Sequence, residues 1–451
     1  MLDLEQYQIA GSTAREIAAS VETSIRDGGL VAGGRLPTVR ALAGWLGTSP
    51  ATVNSAYRIL RERGLVIADG RRGTRVAPRP PLVAPERSPH GLLSPTPPPG
   101  VRDLTIGLPD PELLPAVQPA LEQIDLEAKL RANRLDHTDP DLLGLAAQWF
   151  RSDGLPSDSI TVTSGAFDAV ERILQAHLRP GDRVLIDDPA YISLRDILRA
   201  LGLLAVPVPV DEFGFLPEPF EARLAEGVDA VVVVPRAQNP LGAAMDADRM
   251  ATLGGLLERH PDVLLIEDDH AGLVAGAPFS TLMTGASRHW AVIRSISKVL
   301  HPDLRLALMA GDETTVARVE GRQALGPRWV SHVLQAIVFQ LMADPTFGAT
   351  ADRARDVYRS RREALIDALA DRQIAAHGRS GLNVWVPVRE ETPAVGALLE
   401  AGWLVMAGER FRTNSGPGVR ITTSTLRPDE AVELAEVLSA TEHAGRPRSV
   451  Y

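Results

Sequence analysis

Short apolar runs recur along the middle of this 451-residue chain, separated by helical stretches and polar loops. Arg183-Val184-Leu185-Ile186, Ala230-Val231-Val232-Val233-Val234, Val263-Leu264-Leu265-Ile266, Ala291-Val292-Ile293 and Arg305-Leu306-Ala307-Leu308 are β-branched or leucine-rich. Strands apolar on both faces suit a mostly parallel sheet covered by helices, so the pattern predicts an α/β fold. Such folds bind ligands at the carboxyl ends of their strands. The polar residues there are Gln238-Asn239-Pro240-Leu241-Gly242, Glu267-Asp268-Asp269-His270 and Ser295-Ile296-Ser297-Lys298. Upstream, Ile160-Thr161-Val162-Thr163-Ser164-Gly165-Ala166-Phe167 passes from a strand through a glycine into a helical stretch, Asp168 to Leu178.

The first 77 residues follow another pattern. Thr38 and Ser49 are placed as helix caps, and Pro50 suits the first turn of the second of two short helices. Val53, Ala56, Tyr57 and Leu60 share one face at helical spacing, and Gly64 ends the helix. Leu65-Val66-Ile67, a turn at Asp69-Gly70, and Arg71-Arg72-Gly73-Thr74-Arg75-Val76 read as a small β-wing. The expected unit is a winged helix-turn-helix over residues 1–77. A proline-rich stretch follows, with Pro78, Pro80, Pro81, Pro85, Pro89, Pro95 and Pro97-Pro98-Pro99. It predicts an extended spacer over 78–100, ahead of a second domain at 101–445.

Charge separates the two modules. Residues 1–80 carry 11 arginines against 7 acidic residues, a balance of +4, in a chain of net charge −10. A basic module on an acidic body suits phosphate-backbone binding, and Arg40, Ser49, Thr52, Arg71, Arg72 and Thr74 are the candidate contacts with double-stranded DNA. The absence of cysteine excludes disulfides, thiolate metal sites and a catalytic thiol. No apolar run is long enough to span a membrane and the start lacks signal-peptide blocks, so a cytoplasmic protein is expected.

Lys129 and Lys298 are the only lysines, so 45 of the 47 basic residues are arginine. A permanently protonated guanidinium cannot act as an amine nucleophile or form a Schiff base, which makes Lys298 a candidate for chemistry. The strand-glycine-helix passage through Gly165, Ala166 and Phe167 offers helix N-terminal N–H groups to an anion, and Ser295, Ser297 and Arg305 could reach the same phosphate. A metal centre at Glu267-Asp268-Asp269-His270 is the weaker reading. Consecutive strand residues face opposite ways, and no second ligand cluster accompanies them.

An amine, a phosphate cradle and a strand-end carboxylate together carry a family resemblance. Residues of about 100 to 440 resemble a fold type I aminotransferase, a family that uses pyridoxal 5'-phosphate (PLP). The resemblance implies that Lys298 forms the Schiff base with PLP and that Asp268 pairs with the pyridine nitrogen. It implies likewise that Asn239 bonds the phenolic oxygen, Tyr191 covers the ring, and Arg420, in Gly418-Val419-Arg420-Ile421-Thr422, grips a substrate or effector carboxylate. His270 stands where the family usually has a tyrosine bonded to the phenolic oxygen, and is expected to donate the same bond. His137 falls where relatives often carry a tyrosine that reaches the neighbouring subunit.

The segment Leu36-Pro37-Thr38-Val39-Arg40, with the helix-turn-helix and wing, resembles the GntR-type winged helix. Relatives often have arginine where Pro50 stands. Both modules joined by a proline-rich linker resemble the MocR regulators. The segments Pro235-Arg236-Ala237-Gln238-Asn239-Pro240, Asp268-Asp269-His270 and Arg420-Ile421-Thr422-Thr423-Ser424-Thr425-Leu426 resemble their PtsJ-type branch. The resemblance implies a homodimeric transcription regulator that reads an operator and senses PLP or an amino compound, with vitamin B6 metabolism the expected target. Two alternatives stand beside it: an active aminotransferase with an accessory DNA-binding module, and a DNA-binding protein with a cofactor-free scaffold.

Overall fold

The computed structural model describes residues 9–26, 29–31, 33–62, 64–68, 73–77, 97–131 and 137–444. The N-terminal module contains helices α1 (Ala14–Arg26), α2 (Val39–Leu46) and α3 (Pro50–Glu62), then strands β1 (Val66–Ala68) and β2 (Thr74–Val76). Thr38 caps α2 by accepting from the Ala41 N–H, and Gly47 ends it at φ 64°, a left-handed conformation that costs glycine no steric strain. Ser49 Oγ accepts from the Thr52 N–H at 3.1 Å, starting α3 in the same way. Val53, Ala56, Tyr57 and Leu60 form the inner face of α3 and pack with Ile17, Val21 and Leu42. The Tyr57 hydroxyl donates to the Pro37 carbonyl at 2.7 Å, so the polar tip of a buried ring is satisfied. β1 and β2 pair antiparallel with Ile67 opposite Arg75. The expected turn at Asp69-Gly70, the wing residues Arg71 and Arg72, and the proline-rich stretch from Pro78 to Pro95 lie outside the described residues.

The large domain enters through β3 (Arg102–Asp103). Its strands are β4 (Ile160–Thr163), β5 (Arg183–Asp188), β6 (Leu204–Asp211), β7 (Gly214–Phe215), β8 (Ala230–Val233), β9 (Leu264–Asp269), β10 (Trp290–Ser295) and β11 (Ala307–Gly311). They form one eight-stranded sheet in the order β4-β11-β10-β9-β8-β5-β6-β7. The pairs β5·β8, β8·β9 and β9·β10 are parallel, whereas β11 runs antiparallel to both β10 and β4. Every residue of β8, β9, β10 and β11 is buried, which is why these strands begin as apolar runs even where β9 and β10 end in polar residues. β6 carries Pro207 and Pro209. These prolines are tolerated because only the two-residue β7 lies beyond it, at the sheet edge.

Two of the boundaries that differ from the sequence reading bear on the site. The helix after Gly165 starts at Ala166 and ends at His177. The expected strand Arg305–Leu308 begins only at Ala307. Arg305 instead closes a 3-10 turn at φ 42°, outside the ladder, which frees its side chain to turn toward the phosphate cradle.

A smaller sheet is built from β12 (Asn383–Pro387), β14 (Met406–Ala407) and β15 (Gly418–Thr422), in the order β12-β15-β14, while β13 (Trp403–Leu404) pairs in parallel with β3. Its core joins Val384, Val419 and Ile421 to Leu365 of the helix Phe347–Ala370 and to Leu434 and Leu438 of the helix Pro428–Ala444. Among the described residues no helix is long and apolar enough to cross a membrane.

Candidate functional site

The carboxyl end of β9 holds three consecutive acids, all buried. Strand alternation sends Glu267 and Asp269 to one side and Asp268 to the other. Glu267 accepts from the Thr281 hydroxyl at 2.6 Å and the Leu282 N–H at 2.7 Å. Asp269 is clamped by Arg236 through two bonds of 2.7 and 2.8 Å, a bidentate pair that compensates its burial. Arg294, itself fully buried, sits 3.5 Å from the same carboxylate and stacks 4.7 Å over Phe150. Asp268 differs, since its Oδ1 has no hydrogen-bond partner among the described residues. Burial, reinforced by the charge of Asp269, pushes its pKa up to about 7. A buried acid without a donor is costly, and a protonated ring nitrogen is the kind of partner that would relieve it.

Just after β10, Lys298 is half-buried, and desolvation of its amine together with the Arg420 and Arg305 charges lowers its pKa to about 8. That brings the free amine, the form that attacks a carbonyl carbon, within reach of neutral pH. Lys298 Nζ donates to the Gly107 carbonyl. The other lysine is spoken for: Lys129 pairs with Asp139 at 2.5 Å.

Gly165 stands at φ 106° as the uncapped start of the helix Ala166–His177. A Cβ there would lie 2.9 Å from Arg305 Nη2, so the glycine lets the guanidinium close over a helix N-terminus. Nearby, Ser295 Oγ donates to Ser297 Oγ at 3.1 Å and accepts from the Ser297 N–H at 3.2 Å. Helix N–H groups at Ala166 and Phe167, two hydroxyls and Arg305 suit a phosphate. The Phe167 ring stacks on Tyr191 with centroids 5.6 Å apart, a pairing the sequence did not suggest.

Arg420 is buried on β15. Its Nη1 donates to Asn239 Oδ1 at 3.2 Å, and its Nη2 donates to the Thr105 carbonyl. Its guanidinium lies 5.1 Å from the Phe411 ring centre. The structure therefore joins Asn239 and Arg420 directly. His270, expected to bond the phenolic oxygen, has a protein partner of its own. Its Nε2 lies 2.9 Å from the Ala237 carbonyl, and burial together with the nearby Lys298 charge lowers its pKa to about 4. A neutral ring must use its one N–H on that carbonyl, which leaves Nδ1 as an acceptor. His137 Nδ1 is engaged by the Arg328 carbonyl at 2.8 Å.

These residues fit PLP. They offer an amine for its aldehyde, an unmatched carboxylate for its ring nitrogen and an N-terminal cradle for its phosphate. Glu267, Asp268 and Asp269 have separate environments, and no group of three or more potential metal-ligating residues converges among the described residues.

In the winged helix, Arg40 and Ser49 are exposed, and Thr52 and Thr74 half-buried. Ser49 and Thr52 also meet through their hydroxyls at 2.8 Å, so each serves the α3 cap. The outward face of α3 opposite Val53, Ala56, Tyr57 and Leu60 carries exposed Ala51, Asn54 and Arg58. Sequence reasoning missed Asn54 and Arg58, although subtracting the apolar face would have found them.

Two sequence families match: bacterial regulatory proteins of the gntR family over residues 13–76, and aminotransferase class I and II over residues 99–438. The vitamin B6 salvage pathway transcriptional repressor PtsJ of Salmonella typhimurium is 39% identical over 95% of this chain and 98% of its own. The chain belongs to the MocR-type regulators. The pyridoxine biosynthesis transcriptional regulator PdxR of Corynebacterium glutamicum is 28% identical to this MocR-type chain, over 80% of it and 79% of PdxR. The kynurenine aminotransferase of Pyrococcus horikoshii superposes with a TM-score of 0.71 at 22% identity, covering 77% of this MocR-type chain and 92% of the enzyme. That likeness shows the fold.

Proposed function

We propose that this chain is a PLP-responsive transcription regulator, with vitamin B6 metabolism as its target and a homodimer as its working form. The observation that carries the reading is the pairing of a GntR module with a domain that holds both a buried Asp268, whose Oδ1 lacks a partner among the described residues, and the Lys298 amine with its lowered pKa. Bound, PLP supplies an aldehyde carbon and a ring nitrogen that can take a proton.

This chain's residues then have distinct tasks. Lys298 provides the attacking amine. Asp268 holds a proton on the ring nitrogen, its own charge stabilised by that contact. Gly165, Ala166, Phe167, Ser295, Ser297 and Arg305 orient the phosphate; Asn239 donates to the phenolic oxygen, and Tyr191 covers the ring. Arg420 takes a carboxylate. In the winged helix, Arg40, Ser49, Thr52 and Thr74, with the wing residues Arg71 and Arg72, contact DNA, and we add Asn54 and Arg58 on the outer face of α3.

PLP changes operator affinity only if it binds two arrangements of the protein unequally. The test is to select genomic fragments retained by the purified full-length protein and titrate them with apo and PLP-loaded protein. We expect a shift of about 5-fold or more in operator Kd, the range usual for allosteric coupling. Equal affinity in both forms, with sustained turnover of any amino donor and keto acid, would instead make the chain an aminotransferase.

A further inference from the structure

Tyr191 follows β5 of the large sheet and Arg420 lies on β15 of the small one, and one carboxylate fastens the two segments together. Asp188 is the last residue of β5 and is buried. Each of its oxygens accepts twice. Oδ1 takes the Thr413 N–H at 2.8 Å and the Ser415 hydroxyl at 3.0 Å, and Oδ2 takes the Asn414 N–H at 2.7 Å and the Ser415 N–H at 3.1 Å. All four donors lie on the connection between β14 and β15. Two further bonds join the same pieces of chain: the Ala190 N–H donates to the Phe411 carbonyl at 3.0 Å, and Arg195 of the helix Ile192–Ala200 donates to the Arg412 carbonyl at 3.1 Å. Phe411, whose ring faces the Arg420 guanidinium, belongs to an apolar cluster with Leu241 and Trp385 against which Tyr191 packs. The other side of the connection is held separately. Glu391, first residue of the helix Glu391–Glu400, accepts from the Glu409 N–H at 2.7 Å, Arg412 Nε at 2.9 Å and the Gly418 N–H at 3.2 Å.

We propose that Asp188 is a positioning residue that locks the connection leading to Arg420 onto the segment carrying Tyr191, so that ring binding and carboxylate binding are coupled. The inference rests on the PLP reading of the site. A ligand with a ring at one end and a carboxylate at the other binds best when the two halves of its site are already set at the right separation, because less order is lost on binding. With Asp188 in place the halves move together. Without it, Glu391 still holds the connection to the small sheet, while the four bonds to β5 are lost. An amide at position 188 keeps the shape but turns an NH2 group toward two donors, so one side of the clamp becomes a mismatch. Asp188 touches neither the ring nor the carboxylate in this assignment; it acts through Arg420 and Tyr191.

Two probes separate the halves. Pyridoxamine 5'-phosphate carries the ring and phosphate, and N-(5'-phosphopyridoxyl)-L-alanine adds a carboxylate; neither condenses with Lys298. Their Kd values on full-length apo protein, measured by calorimetry, give a ratio that reports the carboxylate's contribution. Asp188→Asn should reduce the adduct's advantage about 10-fold, within the usual range of coupling between sites. Arg420→Met should abolish that advantage, and the double variant should lose no more than Arg420→Met alone, which shows Asp188 acting through Arg420. Ser415→Ala removes a single bond and should move the ratio about 2-fold in the same direction, a milder test should Asp188→Asn fold poorly. Asp312→Asn is the control. Its carboxylate likewise accepts backbone N–H groups, from Trp290 at 2.8 Å and Thr315 at 3.0 Å, but at the start of β10, and the ratio should not change. Equal losses for both probes in Asp188→Asn, further loss in the double variant, or no advantage for the adduct in the parent would overturn the coupling and leave the PLP reading standing. If the parent binds neither probe, both fail.

Discussion

The DNA-binding module and the cofactor site solve opposite problems with polar residues. In the winged helix, Thr38, Ser49 and Thr52 bond backbone or side chains three residues away, and Tyr57 bonds Pro37. These short-range contacts satisfy local donors and leave Arg40 and Asn54 in water. In the large domain, β9 and β15 supply buried Asp268 and Arg420, and the turn after β10 supplies half-buried Lys298, whose amine feels the Arg420 charge, all from distant parts of the chain. There the polar groups are incompletely satisfied by protein. The first module is complete without its ligand, whereas the second keeps an unmet demand that a ligand can fill, and that demand is what allows binding to shift the protein's equilibrium.

The sharpest break in this comparison is Lys298→Arg. A guanidinium keeps the charge and the reach to Gly107 but cannot condense with an aldehyde. Borohydride-reducible PLP should fall to background, and Lys129, tied to Asp139, should not replace it. Retention of a reducible adduct would move the chemistry away from Lys298.

The unmet demand should also appear as pH dependence. Asp268 has its folded pKa raised from 3.8 to about 7, so the fold favours the neutral acid. Its contribution is fully present below the unfolded pKa and is lost as pH rises through 7, an effect of up to about 4 kcal/mol. Asp268→Asn should therefore stabilise apo protein against urea at pH 8 relative to the parent, with little gain at pH 4. Part of the slope should persist, because burial also raises Glu267 and Asp187 to about 7. An unchanged slope would mean that Asp268 is already matched in solution.

Legibility in the sequence follows the same division. Caps, the apolar face of α3 and the runs that became β5, β8, β9 and β10 are local patterns of residue type, and the structure places them where the patterns put them. Lys298 was legible because lysine is so scarce. The contacts of Lys298 with Gly107 and of Arg420 with Thr105 were not, since they use backbone carbonyls, which every residue possesses. The tautomer of His270 was hidden too, because it depends on a carbonyl at Ala237. Arg305 was assigned its role but given the wrong backbone: a left-handed residue at φ 42° leaves no apolar signature. The clamp of Arg236 and Arg294 on Asp269 is invisible among so many arginines.

The smallest expected effect tests the exposed half of the comparison. Arg40 and Asn54 are exposed in the winged helix, so replacing either with alanine should leave folding nearly unchanged, within about 0.5 kcal/mol for a surface site. The two should differ on DNA. If Arg40 neutralises a phosphate, Arg40→Ala weakens all sequences alike and reduces the salt dependence of binding by about one ion. If Asn54 reads a base edge, Asn54→Ala costs about 1–3 kcal/mol on the operator and little on nonspecific DNA. Titrations at several salt concentrations, on operator and random duplex, separate the roles. The absorption spectrum of bound PLP should be the same in both variants, because Lys298 and Asp268 are untouched. Equal losses on both duplexes for Asn54→Ala would reduce its role to backbone contact, and no loss for either variant would move the DNA surface off α2 and α3.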